Sequence, residues 1–238
     1  MPIRHLKGGN IVLILADARF PERVMRSLER YGPVVPFASQ GVVYESISGH
    51  PDIFLCPIPG GVVAAPNTPE NILEALENNG TSLFLGKEPL GNAYPASARY
   101  NAFTGKGCLL HLFDITDEVI QAQTQGLEKI PVRQGYARCS LVEAGGLFIT
   151  SDRGIEKALK QSGRETFYVD SSPIVLPAQP HGFFGGCTGV WGQQLFLAGS
   201  LGHFPEGENL QKALGDREVE IIELYEGPLW DGGSILFL

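Results

Sequence analysis

The apolar positions of this chain fall in an order that returns five times. After Asn10, IVLILAD reads as a buried strand, PERVMRSLERYG as a helix with Val24, Met25 and Leu28 on one face, and PVVPF as a second strand. The order then repeats as GVVAAPN, TPENILEALENNG and TSLFL, with Ile72, Leu73 and Leu76 on one helix face. Gly32 and Gly80 stand where these first two helices should stop. Three more copies follow: CLLHLFD, TDEVIQAQTQG and KIPVRQ; GLFITSD, RGIEKALKQSG and TFYVD; QQLFLAGSLG, ENLQKALG and EVEIIELY. The strand-to-helix joints fall near Asp17, Asn67, Asp114, Asp152 and Gly202, a loose period. Asp or Asn at most joints suits a helix start, because its side-chain oxygen accepts from an otherwise unpaired backbone N–H.

From the second copy on, one more short segment precedes each strand: HPDIFLCPI, RYNAFTG, GYARCSLVE and GFFGGCTGV. The first copy has only MPIRHLKGG before it. WDGGSILFL, at the other end, has the length and character of the missing segment, so it is expected to pair with Ile11 to Ala16 and close a ring. The pattern therefore predicts an α/β fold: a five-fold pseudosymmetric α/β propeller of strand-strand-helix-strand units, closed by the C-terminal strand and forming one domain over residues 1–238.

Composition narrows the function. Thirty glycines and seventeen prolines in 238 residues fit many short strands with tight turns, while 43% hydrophobic content is too high for disorder. A net charge of −8 without basic runs argues against nucleic acid as a partner. The apolar run Ile11 to Ala16 is too short for a membrane span, and MPIRHLKGGN lacks a signal peptide's apolar segment, so a cytoplasmic protein with no membrane partner is expected. Cys56, Cys108, Cys139 and Cys187 form no CxxC pair, so free thiols and no metal site are expected from their spacing. No cofactor motif is present: KGG and TGKGC lack the strand-loop-helix context of a phosphate loop.

The segments SGHPDIFLCPI, RQGYARCSL and HGFFGGCTG and the ending DGGSILFL resemble an uncharacterised bacterial family assigned to the pentein fold of guanidino-group-modifying enzymes. That fold is shared by arginine deiminases, dimethylarginine hydrolases and amidinotransferases. The resemblance covers essentially the whole chain, and it implies a cysteine nucleophile near the C-terminus, a histidine that moves protons and carboxylates that grip a guanidinium. Here the closing segment reads Asp231, Gly232, Gly233, Ser234, Ile235, Leu236, without the cysteine. Ser234 is a poor substitute, since a hydroxyl needs a positioned base to become nucleophilic.

The remaining catalytic candidates are His181 and His50, each at the head of an inner segment, and Cys187 in the glycine-rich GGCTG as a displaced nucleophile. Either histidine could equally cap a turn, and Cys187 could simply be buried. In a ring the inner segments bring Asp52, Asn101, Arg138 and Asp231 toward the axis. Carboxylates and an amide there suit a guanidinium or ammonium, and Arg138 suits a carboxylate. The favoured expectation is a non-catalytic or unconventional pentein-type protein that binds a small guanidino or amino-acid-like ligand. The alternatives are a hydrolase or amidinotransferase-like enzyme using Cys187 with His181 or His50, and a scaffold or interaction protein.

Overall fold

Two hydrophobic strands joined by a tight turn pair antiparallel, and a third returns parallel after a helix; this arrangement recurs throughout residues 12–238, which the computed structural model describes. The first sheet contains β1 (Ile14–Asp17) and β2 (Val34–Phe37). The second contains β3 (Leu55–Ile58), β4 (Gly61–Ala64) and β5 (Leu83–Leu85), and the third β6 (Phe103–Gly105), β7 (Cys108–His111) and β8 (Glu128–Pro131). The fourth is β9 (Leu141–Ala144), β10 (Leu147–Thr150) and β11 (Thr166–Tyr168), and the fifth β12 (Thr188–Trp191), β13 (Gln194–Leu197) and β14 (Glu220–Glu223). β15 (Leu236–Phe237) supplies the third strand of the first sheet. It lies antiparallel to β1, with Ile14 opposite Phe237 and Leu15 opposite Leu236, and Leu13 and Leu238 exchange backbone bonds of 2.8 Å just beyond. Ile11, where the expected strand begins, lies outside the described residues.

The helices Glu22–Leu28, Glu70–Asn78, Glu118–Gln123, Arg153–Gln161 and Gly207–Gly215 connect the second and third strands of each sheet. Their apolar stripes are buried against the sheets through Val24 and Leu28, Ile72 and Leu76, Ile120, Ile155 and Leu159, and Leu210 and Leu214. Each such side chain contributes about 1.5–3 kcal/mol by leaving water. Met25 and Leu73, expected on the same faces, are only partly buried.

The helix starts differ from the joints read in the sequence. Asp152 caps as expected, accepting from the Ile155 N–H at 2.8 Å, but in the third unit the cap is Asp117 rather than Asp114. Pro21 and Pro69 hold the cap positions of the first two helices, which therefore start without a side-chain cap. That releases Asn67 to bond both ways with the Leu90 backbone, and it releases Asp17 for a different role.

The inner segments also depart from simple strands. Short helical turns, Pro51–Phe54, Ala96–Ala98, Ala137–Ser140 and Gly185–Cys187, lead into β3, β6, β9 and β12. The first strands adjoin: β12 packs against both β9 and β15, and β3 against β6. The Ile235 N–H bonds the Thr188 carbonyl at 2.8 Å across one of these junctions.

Candidate functional site

The turns before the first strands are tied to one another by hydrogen bonds. The Asp52 N–H donates to the Gly233 carbonyl, and the Gly232 and Ser234 N–H groups donate to that of Gly186. Asn101 donates from Nδ2 to the Asp52 carbonyl at 3.0 Å and accepts the Cys139 N–H at Oδ1, 3.1 Å. The Arg138 N–H donates to the Asn101 carbonyl at 3.0 Å. Gly185 lies so close to the Arg138 and Cys139 carbonyls that a Cβ there would overlap them. The space that the small residues of GGCTG leave open is thus filled by the chain itself: a Cβ at Gly186 would overlap the Asp231 carboxylate, and one at Gly189 the Ile235 backbone.

His50 sits at the centre of these turns, 1% exposed. Its Nε2 is 3.9 Å from Asp17 Oδ2 and its Nδ1 is 3.9 Å from Asp231 Oδ1, too far for hydrogen bonds, and neither ring nitrogen has any partner among the described residues. A histidine buried with both nitrogens unserved is uncommon, because each lost bond costs about 1–3 kcal/mol.

The carboxylates around it are held individually. Asp17 accepts from the Arg19 backbone N–H and from its guanidinium, at 2.7 Å from Nη2, and Arg19 also reaches the Glu45 and Ser46 carbonyls. Asp231 accepts from the Phe183 and Gly233 N–H groups at 2.8 and 3.0 Å. Asp52 accepts from Ser234 Oγ at 2.7 Å and from the Cys139 thiol at 3.2 Å. Ser234 reaches it from a left-handed backbone, φ 65°, a conformation a non-glycine residue holds only where its surroundings enforce it.

Burial dominates the electrostatics. It raises the Asp231 pKa above the ordinary carboxylate value, with the His50 charge and the two N–H bonds pulling back. The Cys139 thiol is pushed well up, by burial first and then by the Asp52 and Asp231 charges. As the site stands, Cys139 is therefore a thiol that donates to Asp52.

Not all the residues singled out in the sequence come together. His50, Asp52, Asn101 and Asp231 do. Cys187 is buried in the core, its thiol on the Phe183 carbonyl at 3.3 Å and its pKa raised by burial and then by Asp231. His181 is exposed, bonded to its own neighbour's Gly182 carbonyl and edge-on to Phe183. Arg138 is half-buried, forms no ion pair with Asp52 or Asp231 among the described residues, and keeps a buried Nε without a partner. Asp17, Arg19 and Cys139 complete the cluster, although the sequence reading gave them no place in it. The register of the repeat was the available signal for Cys139, which stands in the turn equivalent to that of Asp52.

His50, Asp52 and Cys139 offer donor atoms that all lie within 4.8 Å of one another, the one mixed group among the described residues able to hold a metal ion. Tyr44 and Tyr136, half-buried and joined hydroxyl to hydroxyl at 3.2 Å, pack beside Cys139 with Phe183.

Residues 15–236 match the family of unknown function (DUF6873), and the chain belongs to it. No curated protein matches in sequence. Among solved structures, the chain is similar to DDAH from Pseudomonas aeruginosa, a cysteine-to-serine mutant complexed with citrulline, at 8% identity and TM-score 0.53, covering 90% of this chain and 92% of that one. It is also similar to a C. jejuni agmatine deiminase, again a cysteine-to-serine mutant, with substrate bound: 10% identity, TM-score 0.54, covering 98% and 97%. An amidinotransferase from Microseira wollei in the saxitoxin biosynthetic pathway matches at 10% identity and TM-score 0.50, covering 90% and 88%. These likenesses show the pentein fold. No helix among the described residues is long and apolar enough to cross a membrane.

Proposed function

We propose that this member of the DUF6873 family is a single-domain, five-fold pseudosymmetric α/β propeller that binds a small guanidino or amino-acid-like cation at its axis. The hydrogen bonds that run from Gly233 through Asp52, Asn101 and Cys139, and again between Gly186 and Ser234, support the ring. The observation that carries the binding is the convergence of Asp17, Asp52 and Asp231 around the unpartnered His50. The side-chain cation bonded into that group is Arg19. A planar cation would bring several donors to these acceptors.

The site is closed in the described state, with Asp52, Asp231 and His50 at most 1% exposed. Entry therefore requires a rearrangement. Thermal shift with arginine, agmatine, citrulline and creatine tests the reading, since a ligand that prefers the folded state raises the melting temperature. A rise with the cationic members, lost in Asp231→Asn, is expected. No rise with any of them leaves the scaffold reading.

One observation favours a second reading, thiol chemistry on a guanidino substrate: Cys139, and not Cys187, shares its surroundings with His50 and Asp52. A haloacetamidine that labels Cys139 well ahead of Cys56, Cys108 and Cys187 would support it.

A further inference from the structure

From the donor geometry we infer that His50, Asp52 and Cys139 form a binding site for a zinc-class divalent metal ion. The inference concerns the same pocket as the guanidino reading and shares His50 and Asp52 with it, but it rests on the mixed donor set rather than on the charge of the pocket.

Around a tetrahedral zinc, bonds of about 2.0–2.3 Å place neighbouring donor atoms roughly 3.2–3.8 Å apart. The Asp52 oxygens and the Cys139 sulfur are already at 3.2 and 3.3 Å, and one donor atom from each of the three residues lies within 4.8 Å of the other two. Bringing the imidazole nitrogen into the same range would close the set. The independent sign of an occupant is His50, buried, with both nitrogens unserved. A metal would take one nitrogen, and the other could then turn its N–H to Asp17 or Asp231, the carboxylate-histidine-metal arrangement that fixes ring orientation.

The other ligands are braced in the same manner. Ser234 holds Asp52 Oδ2 at 2.7 Å, and Asn101 Nδ2 donates to Cys139 Sγ at 3.2 Å, a bond that stabilises a thiolate. On coordination the thiol proton now shared with Asp52 leaves to solvent, and the sulfur binds as thiolate. One sulfur, one nitrogen and one oxygen donor select a borderline-soft ion such as zinc over magnesium or calcium, which require oxygen ligands. Three protein ligands leave a fourth position open to water or a small ligand.

The test is titration of the chelator-stripped full chain with zinc alone, by competition with a chromophoric chelator, and with cobalt as a spectroscopic probe. One equivalent should bind, and cobalt should give tetrahedral absorption with a thiolate charge-transfer band. Cys139→Ser should abolish that band, and His50→Gln should weaken binding at least about tenfold. Cys187→Ala and Cys56→Ala should bind as the parent does. The band of the unaltered chain stands as evidence even if Cys139→Ser fails to fold. No binding by the parent, or binding that persists unchanged in folded Cys139→Ser and His50→Gln, overturns the site. A chain that binds zinc but is not stabilised by arginine keeps the metal site and loses the guanidino reading, whereas stabilisation by arginine without zinc binding does the reverse.

Discussion

Two buried histidines, each in a group with buried aspartate, are treated in opposite ways by the same fold. In the third unit, His111 Nδ1 lies 2.7 Å from Thr116 Oγ1 and Nε2 2.7 Å from the Gly135 carbonyl. Nearby Asp117 accepts the N–H groups of Lys87, Glu88 and Val119 and the Tyr100 hydroxyl, all within 3.0 Å. Both imidazole nitrogens and both carboxylate oxygens there have partners, and the group pins a loop and a helix start. Around His50 the ring nitrogens have none, three carboxylates crowd one another, and Ser234 holds a left-handed backbone. Satisfied groups like the first are what a structural role requires, and the unserved imidazole is the feature on which the proposed site rests.

The contrast can be broken in several ways. The largest expected effect lies at the C-terminal segment, which completes the first sheet and supplies Ser234 to Asp52. Deleting Gly233–Leu238 removes β15, exposes the edge of β1 and takes away Ser234, and should lower the melting temperature by more than about 10 °C. A loss of only a degree or two would show that the first sheet does not need β15. Next comes Asp117→Ala, which strands three N–H groups, the Tyr100 hydroxyl keeping the Glu88 carbonyl at 2.6 Å, and should cost about 3–5 kcal/mol in chemical denaturation. Asp231→Asn turns an amide NH2 toward one of the two N–H groups that the carboxylate serves, and should cost about 1–3 kcal/mol at neutral pH.

Acid should separate the two regions further. Burial lowers the His111 pKa from 6.5 to about 4, so between those values the unfolded chain takes up a proton that the folded chain refuses. Stability should fall through that window by up to about 3 kcal/mol, and His111→Gln should flatten the slope. Asp231 acts with the opposite sign. Its folded pKa is raised, so its contribution is present below the ordinary carboxylate range and is lost as pH rises through the folded value. Denaturation midpoints of both variants across acidic pH would show the two slopes diverge.

The sequence made the units legible because helices with one apolar stripe and strands with solid apolar runs differ in period, and WDGGSILFL carried a strand with no local partner. It also brought out His50, Asp52, Asn101 and Asp231, since repeats place equivalent residues in equivalent positions. Cys139 escaped because the inner segments enter through a helical turn rather than as strands. That change of spacing placed Cys139, and not its neighbour Arg138, against Asp52. Asp17 read as a helix cap, and only the proline at position 21, which starts the helix without it, freed its carboxylate for Arg19 and the neighbourhood of His50. His181 and Cys187 looked like partners by type, but the five residues of glycine-rich chain between them carry one to the surface and the other into the core.

The smallest expected stability change belongs to the substitution that tests the central claim. His50→Leu removes two unserved polar atoms at roughly constant volume, so it should melt within about 1 kcal/mol of the parent or above it. Melting the parent and His50→Leu with and without arginine and zinc is the most direct measurement. The account predicts equal or higher stability without ligand and loss of the ligand-induced rise. A variant that melts several degrees lower while responding to both ligands as the parent does would make His50 an ordinary core residue, and would contradict the account.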